Sequence, residues 1–188
     1  MYEKVIDEAF AVKTVEMIRS YGFRPILEGP NYIYMDDEEF DYNDGFGNIL
    51  RRDVGDDLVT IGGDYYGKWK INKLSCATEV EADKRIECFE RLSKDYSIIA
   101  HNDNVCELVP AGHNKATGMM KTCQLIGINP RNTYAFGDSE NDIDMLEAAQ
   151  VGIAMGNGTD RAKAAADYVT SAFDEDGIYK GLKHFGLI

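Results

Sequence analysis

From residue 115 onward, short apolar runs alternate with helix-like segments in a rhythm that few folds accommodate. The sequence predicts helix over 115–127, strand over 133–136, helix over 141–149, strand over 151–155, helix over 159–165 and strand over 168–170. Such alternation buries its apolar runs in a parallel sheet, because each helix carries the chain back to the end from which the next strand starts. The expected class for this part is therefore α/β, with parallel strands covered by helices.

Residues 1–110 lack that rhythm. Val5, Ile6, Ala9, Val12, Met17 and Ile18 mark a helical stripe that ends at Gly22. Strands are expected over 23–27 and 32–35, around the turn residues Gly29-Pro30-Asn31, and residues 36–57 read as loop with a short helix near Ile49. Residues 68–74 alternate polar with apolar like a half-buried strand, and Thr78-Glu79-Val80-Glu81 has the form of a capping box opening a helix that runs to about residue 94. Two further strands, over 96–100 and 105–109, flank the turn His101-Asn102-Asp103-Asn104. The reading is an α+β unit over 1–110, helices on an antiparallel sheet, then an α/β unit over 111–188.

The 188 residues are 44% hydrophobic, enough for a buried core, and carry a formal net charge of -13. That charge repels nucleic-acid backbones and anionic lipid surfaces, and no basic stripe offsets it. It opposes anionic small molecules too, so any phosphate site must be made locally positive by a metal ion, a lysine or a helix N-terminus. No run approaches the roughly 18 apolar residues of a membrane helix, and acids stand where a secretory signal would be basic and apolar; the cytoplasm is the expected location. Cys76, Cys88, Cys106 and Cys123 are widely spaced, without a CxxC pair, and are expected to be reduced, mostly buried thiols.

Chemistry concentrates where the second unit's strands end. Tyr134-Ala135-Phe136 runs into Gly137-Asp138-Ser139-Glu140-Asn141-Asp142, an apolar strand ending in a glycine and an acid with a helix close behind. Asp138 and Asp142 are then near enough to serve one hard cation, for which Mg2+ suits: it takes one or two carboxylates, waters and phosphate oxygens. Alternatively Asp138 and Asn141 simply cap the helix, with Asp142 and Asp144 favouring its dipole. Lys115 opens a helix against the dipole, as a phosphate-binding point charge or as a surface lysine. Val151-Gly152-Ile153-Ala154-Met155-Gly156-Asn157-Gly158 is a strand entering a glycine-rich turn.

Taken together in this order and spacing, Lys115, Gly137 to Asp142, Val151 to Asn157, Ala166-Asp167-Tyr168-Val169-Thr170 and Asp176-Gly177-Ile178 resemble the haloacid dehalogenase (HAD) superfamily, in particular its Cof-type phosphatases with a large type II cap. The resemblance implies a partial HAD-like Rossmannoid core over 111–188 and a substrate-specificity cap over 1–110. It implies Mg2+ held by Asp138, with Asp142 supporting it directly or through its water shell. Asn141 then contacts phosphate, Lys115 neutralises phosphate and nucleophile, and a small phosphorylated metabolite is the substrate. Tyr65, Tyr66 and Trp69 suit either contact with that substrate or plain core.

Members of that superfamily also carry an N-terminal strand ending in Asp-x-Asp-Gly-Thr, whose first aspartate attacks phosphorus. No such string occurs in the 188 residues, and by the resemblance it would lie upstream of Met1. The chain is accordingly expected to be a truncated phosphatase with little or no turnover alone. Its strand over 133–136 is expected to have an open edge, pairing with a second copy or an N-terminal fragment. A non-catalytic phosphate- or metabolite-binding or interaction protein, or one chain of a split phosphatase, is the alternative. Asp174-Glu175-Asp176-Gly177 imitates the nucleophile motif but stands four residues beyond Thr170, away from the strand end.

Overall fold

Asp7 starts the first helix by accepting the Phe10 amide on its carboxylate at 3.0 Å in the computed structural model, which describes residues 3–35, 52–77, 80–100 and 105–188. The chain forms two compact units, residues 1–111 and 112–188. In the first, α1 is Glu8–Ser20, and it buries Ala11, Thr14, Val15 and Ile18. The buried face is thus rotated from the predicted stripe: Val5 and Ala9 are exposed, and Ile6 precedes the helix, its amide donating to the Ile71 carbonyl at 2.9 Å. Thr14 can join the core because its hydroxyl meets the Phe10 carbonyl and the Tyr96 hydroxyl.

The strands of this unit are β1 (Arg24–Glu28), β2 (Ile33–Met35), β3 (Leu58–Thr60), β4 (Lys73–Ala77), β5 (Tyr96–Ala100) and β6 (Val105–Pro110), with α2 (Ala82–Leu92) before β5. Their order is β3-β2-β1-β4-β6-β5, antiparallel except for the parallel pair β2–β3. Register decides the faces. Leu27 stands opposite Leu74, and Leu74 opposite Leu108, in the core with α1 and α2. One residue along, on the other face, the Lys73 ammonium lies between Glu28 at 3.1 Å and Glu107 at 3.0 Å.

Two expectations need correcting here. Residues 68–72 are outside the ladder, which begins at Lys73; the alternation reflects burial of Trp69 and Ile71. Trp69 belongs to the core, with its indole N–H donating to the Ile61 carbonyl at 3.2 Å, whereas Tyr66 is exposed and donates to Glu16. The residue capping α2 is Glu81, which makes no side-chain capping bond. Thr78 and Glu79 of the expected box, the helix near Ile49 and the turn over 101–104 lie outside the described residues. All four cysteines are free and buried, with Cys76 directly opposite Cys106.

The second unit follows the predicted alternation: α3 (Lys115–Ile126), β7 (Tyr134–Gly137), α4 (Ile143–Ala148), β8 (Val151–Ala154), α5 (Asp160–Ala165), β9 (Tyr168–Val169) and α6 (Gly177–His184). Its three strands run parallel in the order β7-β8-β9, and among the described residues β7 is hydrogen-bonded on one side only. Gly127, at φ 72°, ends α3 in the left-handed conformation. Ala135, Leu146 and Ala162 form a small core with Met119 and Met145 packed against it. Among the described residues no helix is long and apolar enough to cross a membrane.

Candidate functional site

The loop after β7 is organised by one carboxylate. Asp142 is buried, and its Oδ2 accepts the backbone amides of Asp138 at 2.9 Å and Ser139 at 3.1 Å. This draws the chain into a tight turn, and Gly137 permits it: a Cβ there would stand 2.5 Å from the Cβ of Asp142. The predicted helix over 141–149 is consequently a 3-10 turn, Glu140–Asp142, before α4 begins at Ile143. Asn141 and Asp142 sit in that turn rather than in the α-helix proper.

From the other side comes Lys115, the first residue of α3. Asn114 caps this helix: its side chain accepts the Thr117 amide at 2.8 Å, and its own amide donates to the Thr117 hydroxyl at 2.9 Å. Its Nδ2 also donates to Asp144 at 2.5 Å, tying the start of α3 to α4. Lys115 Nζ donates to Asn141 Oδ1 at 3.0 Å and forms a close ion pair with Asp142 Oδ1. Burial raises the Asp142 carboxyl, but the Lys115 ammonium and the amides of Asp138 and Ser139 outweigh it and hold the group below its ordinary value.

Asn141 Oδ1 also accepts from the Ser139 hydroxyl at 2.8 Å, which leaves its amide nitrogen as the end able to donate outward. Asp138 is exposed at the C-terminal end of β7, and among the described residues no donor meets its carboxylate. The four residues singled out in the sequence therefore form one cluster, with Asp142 satisfied inside it and Asp138 exposed at its edge. The glycine-rich turn after β8 closes on the same loop: the Thr159 amide donates to the Asp138 carbonyl at 2.8 Å.

Sequence reasoning passed over Glu140 and Arg161, whose side chains join the loop after β7 to the start of α5. Their spacing of 21 positions matches no local period, so only the fold brings them together. Asp174 lies in the 3-10 turn Phe173–Glu175, and Asp176 caps α6 at φ 57°; neither is on a strand. Among the described residues no group of three or more His, Cys, Asp or Glu side chains is arranged as a metal cage.

Acids and glycines gathered at the C-terminal ends of parallel strands, in a chain that also holds a separate α+β unit, define a mixed α/β fold of the Rossmann-like kind. The sequence profile of haloacid dehalogenase-like hydrolases matches residues 1–182, and the chain belongs to that family. It is 38% identical over 107 residues to the Bacillus subtilis 5-amino-6-(5-phospho-D-ribitylamino)uracil phosphatase YcsE, covering 56% of this chain and 43% of that protein. Phosphoglycolate phosphatase of Natronomonas pharaonis is 33% identical over 130 residues, 69% of this chain and 56% of that one. The chain thus spans about half the length of these relatives. Among solved structures, the HAD subclass IIB sugar phosphatase BT4131 superposes with a TM-score of 0.77 at 26% identity, covering all of this chain (100%) and 70% of that one. The resemblance to Cof-type phosphatases therefore extends over both units of the chain.

Proposed function

We propose that this chain carries the cation and phosphate side of a Mg2+-dependent phosphatase site acting on a small phosphorylated metabolite. The observation that carries the reading is the convergence of Lys115, Asn141 and Asp142 beside the exposed carboxylate of Asp138, which no donor meets among the described residues. The donor set fits a hard cation: Asp138 offers an exposed oxygen ligand at a strand end, where waters and phosphate oxygens can complete the shell. Both oxygens of Asp142 are already taken by protein donors, so it supports the cation by shaping the loop and through the water shell. Bound Mg2+ would supply charge neutralisation of the phosphoryl oxygens.

Within this reading Lys115 balances the charge of the phosphate with an N–H that its two protein partners leave over, and Asn141 donates its amide to a phosphate oxygen. The first unit serves as the cap that selects the organic part of the substrate. The net charge of -13 makes this local cation and lysine necessary and disfavours nucleic acid and anionic membranes as partners. The side of β7 away from β8 is proposed to pair with a second copy or with an N-terminal fragment.

Titration of the chain with Mn2+ and inorganic phosphate, together with turnover of p-nitrophenyl phosphate, tests the reading. Asp138→Asn is expected to weaken cation binding by roughly 10-fold or more, and Lys115→Ala to weaken phosphate binding. Undiminished cation binding by Asp138→Asn would overturn it. Cation-dependent phosphate binding without turnover would favour a binding role for this chain alone, and turnover abolished by Asp174→Asn would transfer the nucleophile to the Asp174 turn.

A further inference from the structure

We infer that Glu140 and Arg161 are positioning residues for Asp138: together they lock the loop after β7 to the turn after β8. The inference rests on the proposed role of Asp138 as the cation ligand. Glu140 Oε1 accepts from the Thr159 hydroxyl at 3.2 Å. Its Oε2 is buried and lies 2.5 Å from Arg161 Nη1, without a donor aligned for a hydrogen bond. A buried carboxylate oxygen in that state is costly unless a cation stands beside it, and Arg161 is that cation.

Thr159 passes the constraint to Asp138. Its hydroxyl also accepts the Ala162 amide at 3.2 Å, as the N-cap of α5, and its amide holds the Asp138 carbonyl at 2.8 Å. Asp138's own amide is held by Asp142, so the peptide units on both sides of Asp138 are fixed. Gly158 lets the loops approach this closely, since a Cβ there would stand 3.0 Å from both the Cα and the carbonyl oxygen of Asp138. Glu140 therefore acts on the cation only through Thr159 and the Asp138 backbone, and Arg161 acts by keeping Glu140 turned inward. Removing Arg161 frees the carboxylate to swing to water and release Thr159.

The test follows the free Mn2+ resonance signal during titration of the full chain and of Glu140→Ala, Arg161→Ala and Arg161→Lys, alongside amide hydrogen exchange at Thr159. Both alanine variants are expected to raise the Mn2+ dissociation constant roughly 10-fold, the scale set by groups that orient a ligand from behind. They should also speed exchange at Thr159 while the amides of β8 stay protected. Arg161→Lys, which keeps the charge, should remain within about 2-fold of the unsubstituted chain. Unchanged Mn2+ affinity and unchanged Thr159 exchange in Glu140→Ala would overturn the inference. If the unsubstituted chain takes up no Mn2+, the cation reading falls, and Thr159 exchange alone decides whether Glu140 holds the loop.

Discussion

Lys115, at the start of α3, pairs with Asp142, at the end of the turn after β7, so two groups 27 positions apart close one site. The lysine is half-exposed and the aspartate nearly inaccessible, at 47% and 5% side-chain exposure, so the pair is asymmetric. The backbone amides on Asp142 remain if the lysine is lost, but its charge is then uncompensated.

Replacing Lys115 by Met should therefore lower the unfolding free energy by about 1–2 kcal/mol. That is less than a fully buried pair would lose, because water already screens the lysine. Urea denaturation of Lys115→Met against the unsubstituted chain measures it; an unchanged midpoint would show that the amides alone suffice.

Acid should weaken the same site with a definite sign. The Asp142 carboxyl is held below its ordinary value, so over the acid range the folded chain binds fewer protons than the unfolded one. Its contribution is full above the ordinary value of about 3.9 and is lost as pH falls through the lower folded value. Asp142→Asn should be less stable near neutrality and show a shallower decline of stability from about pH 5 downward. Equal slopes for the two proteins would count against the pairing.

Gly137 is required by packing, since its φ is not positive and only the approach of Asp142 excludes a side chain. Gly137→Ala should cost roughly 2 kcal/mol, the range for overfilling a tight contact, and disturb cation binding with it. Calorimetry and the Mn2+ titration report the two effects separately.

Thr170, just past β9, is buried, and its hydroxyl donates to the Gly177 carbonyl at 2.7 Å, fixing the entry to α6. Thr170→Val keeps the shape and strands that carbonyl, for an expected loss of about 1–2 kcal/mol in chemical denaturation. A valine variant as stable as the original would mean that another donor takes over.

The edge of β7 should make the chain self-associate or bind a strand-bearing partner. Ile126, the last residue of α3, and Ile128 are exposed apolar side chains in the segment that precedes β7. Sedimentation of the unsubstituted chain is expected to show a concentration-dependent mass that Ile126→Glu reduces. A monomer at all concentrations would rule the association out.

Local chemistry determined much of this protein. Asp7, Asn114, Gly127 and Thr159 mark helix ends through their own capping or left-handed geometry, and alternating apolar runs named β7, β8 and β9 because a parallel sheet buries them whatever surrounds it. Lys115, Asp138, Asn141 and Asp142 stood out in the sequence at the start of one helix and the end of one strand, and the fold brings them into one cluster. Tertiary structure decided what spacing cannot encode. The true face of α1 depends on Thr14 finding Tyr96, 82 positions away, and residues 68–72 alternate outside the strand ladder because burial and strand ladders are separate demands. Asp142 became an internal organiser because its oxygens are filled by Lys115 and two amides, while among the described residues no donor meets the Asp138 carboxylate. Glu140 meets Arg161 only because parallel neighbours bring their loops to the same edge of the sheet.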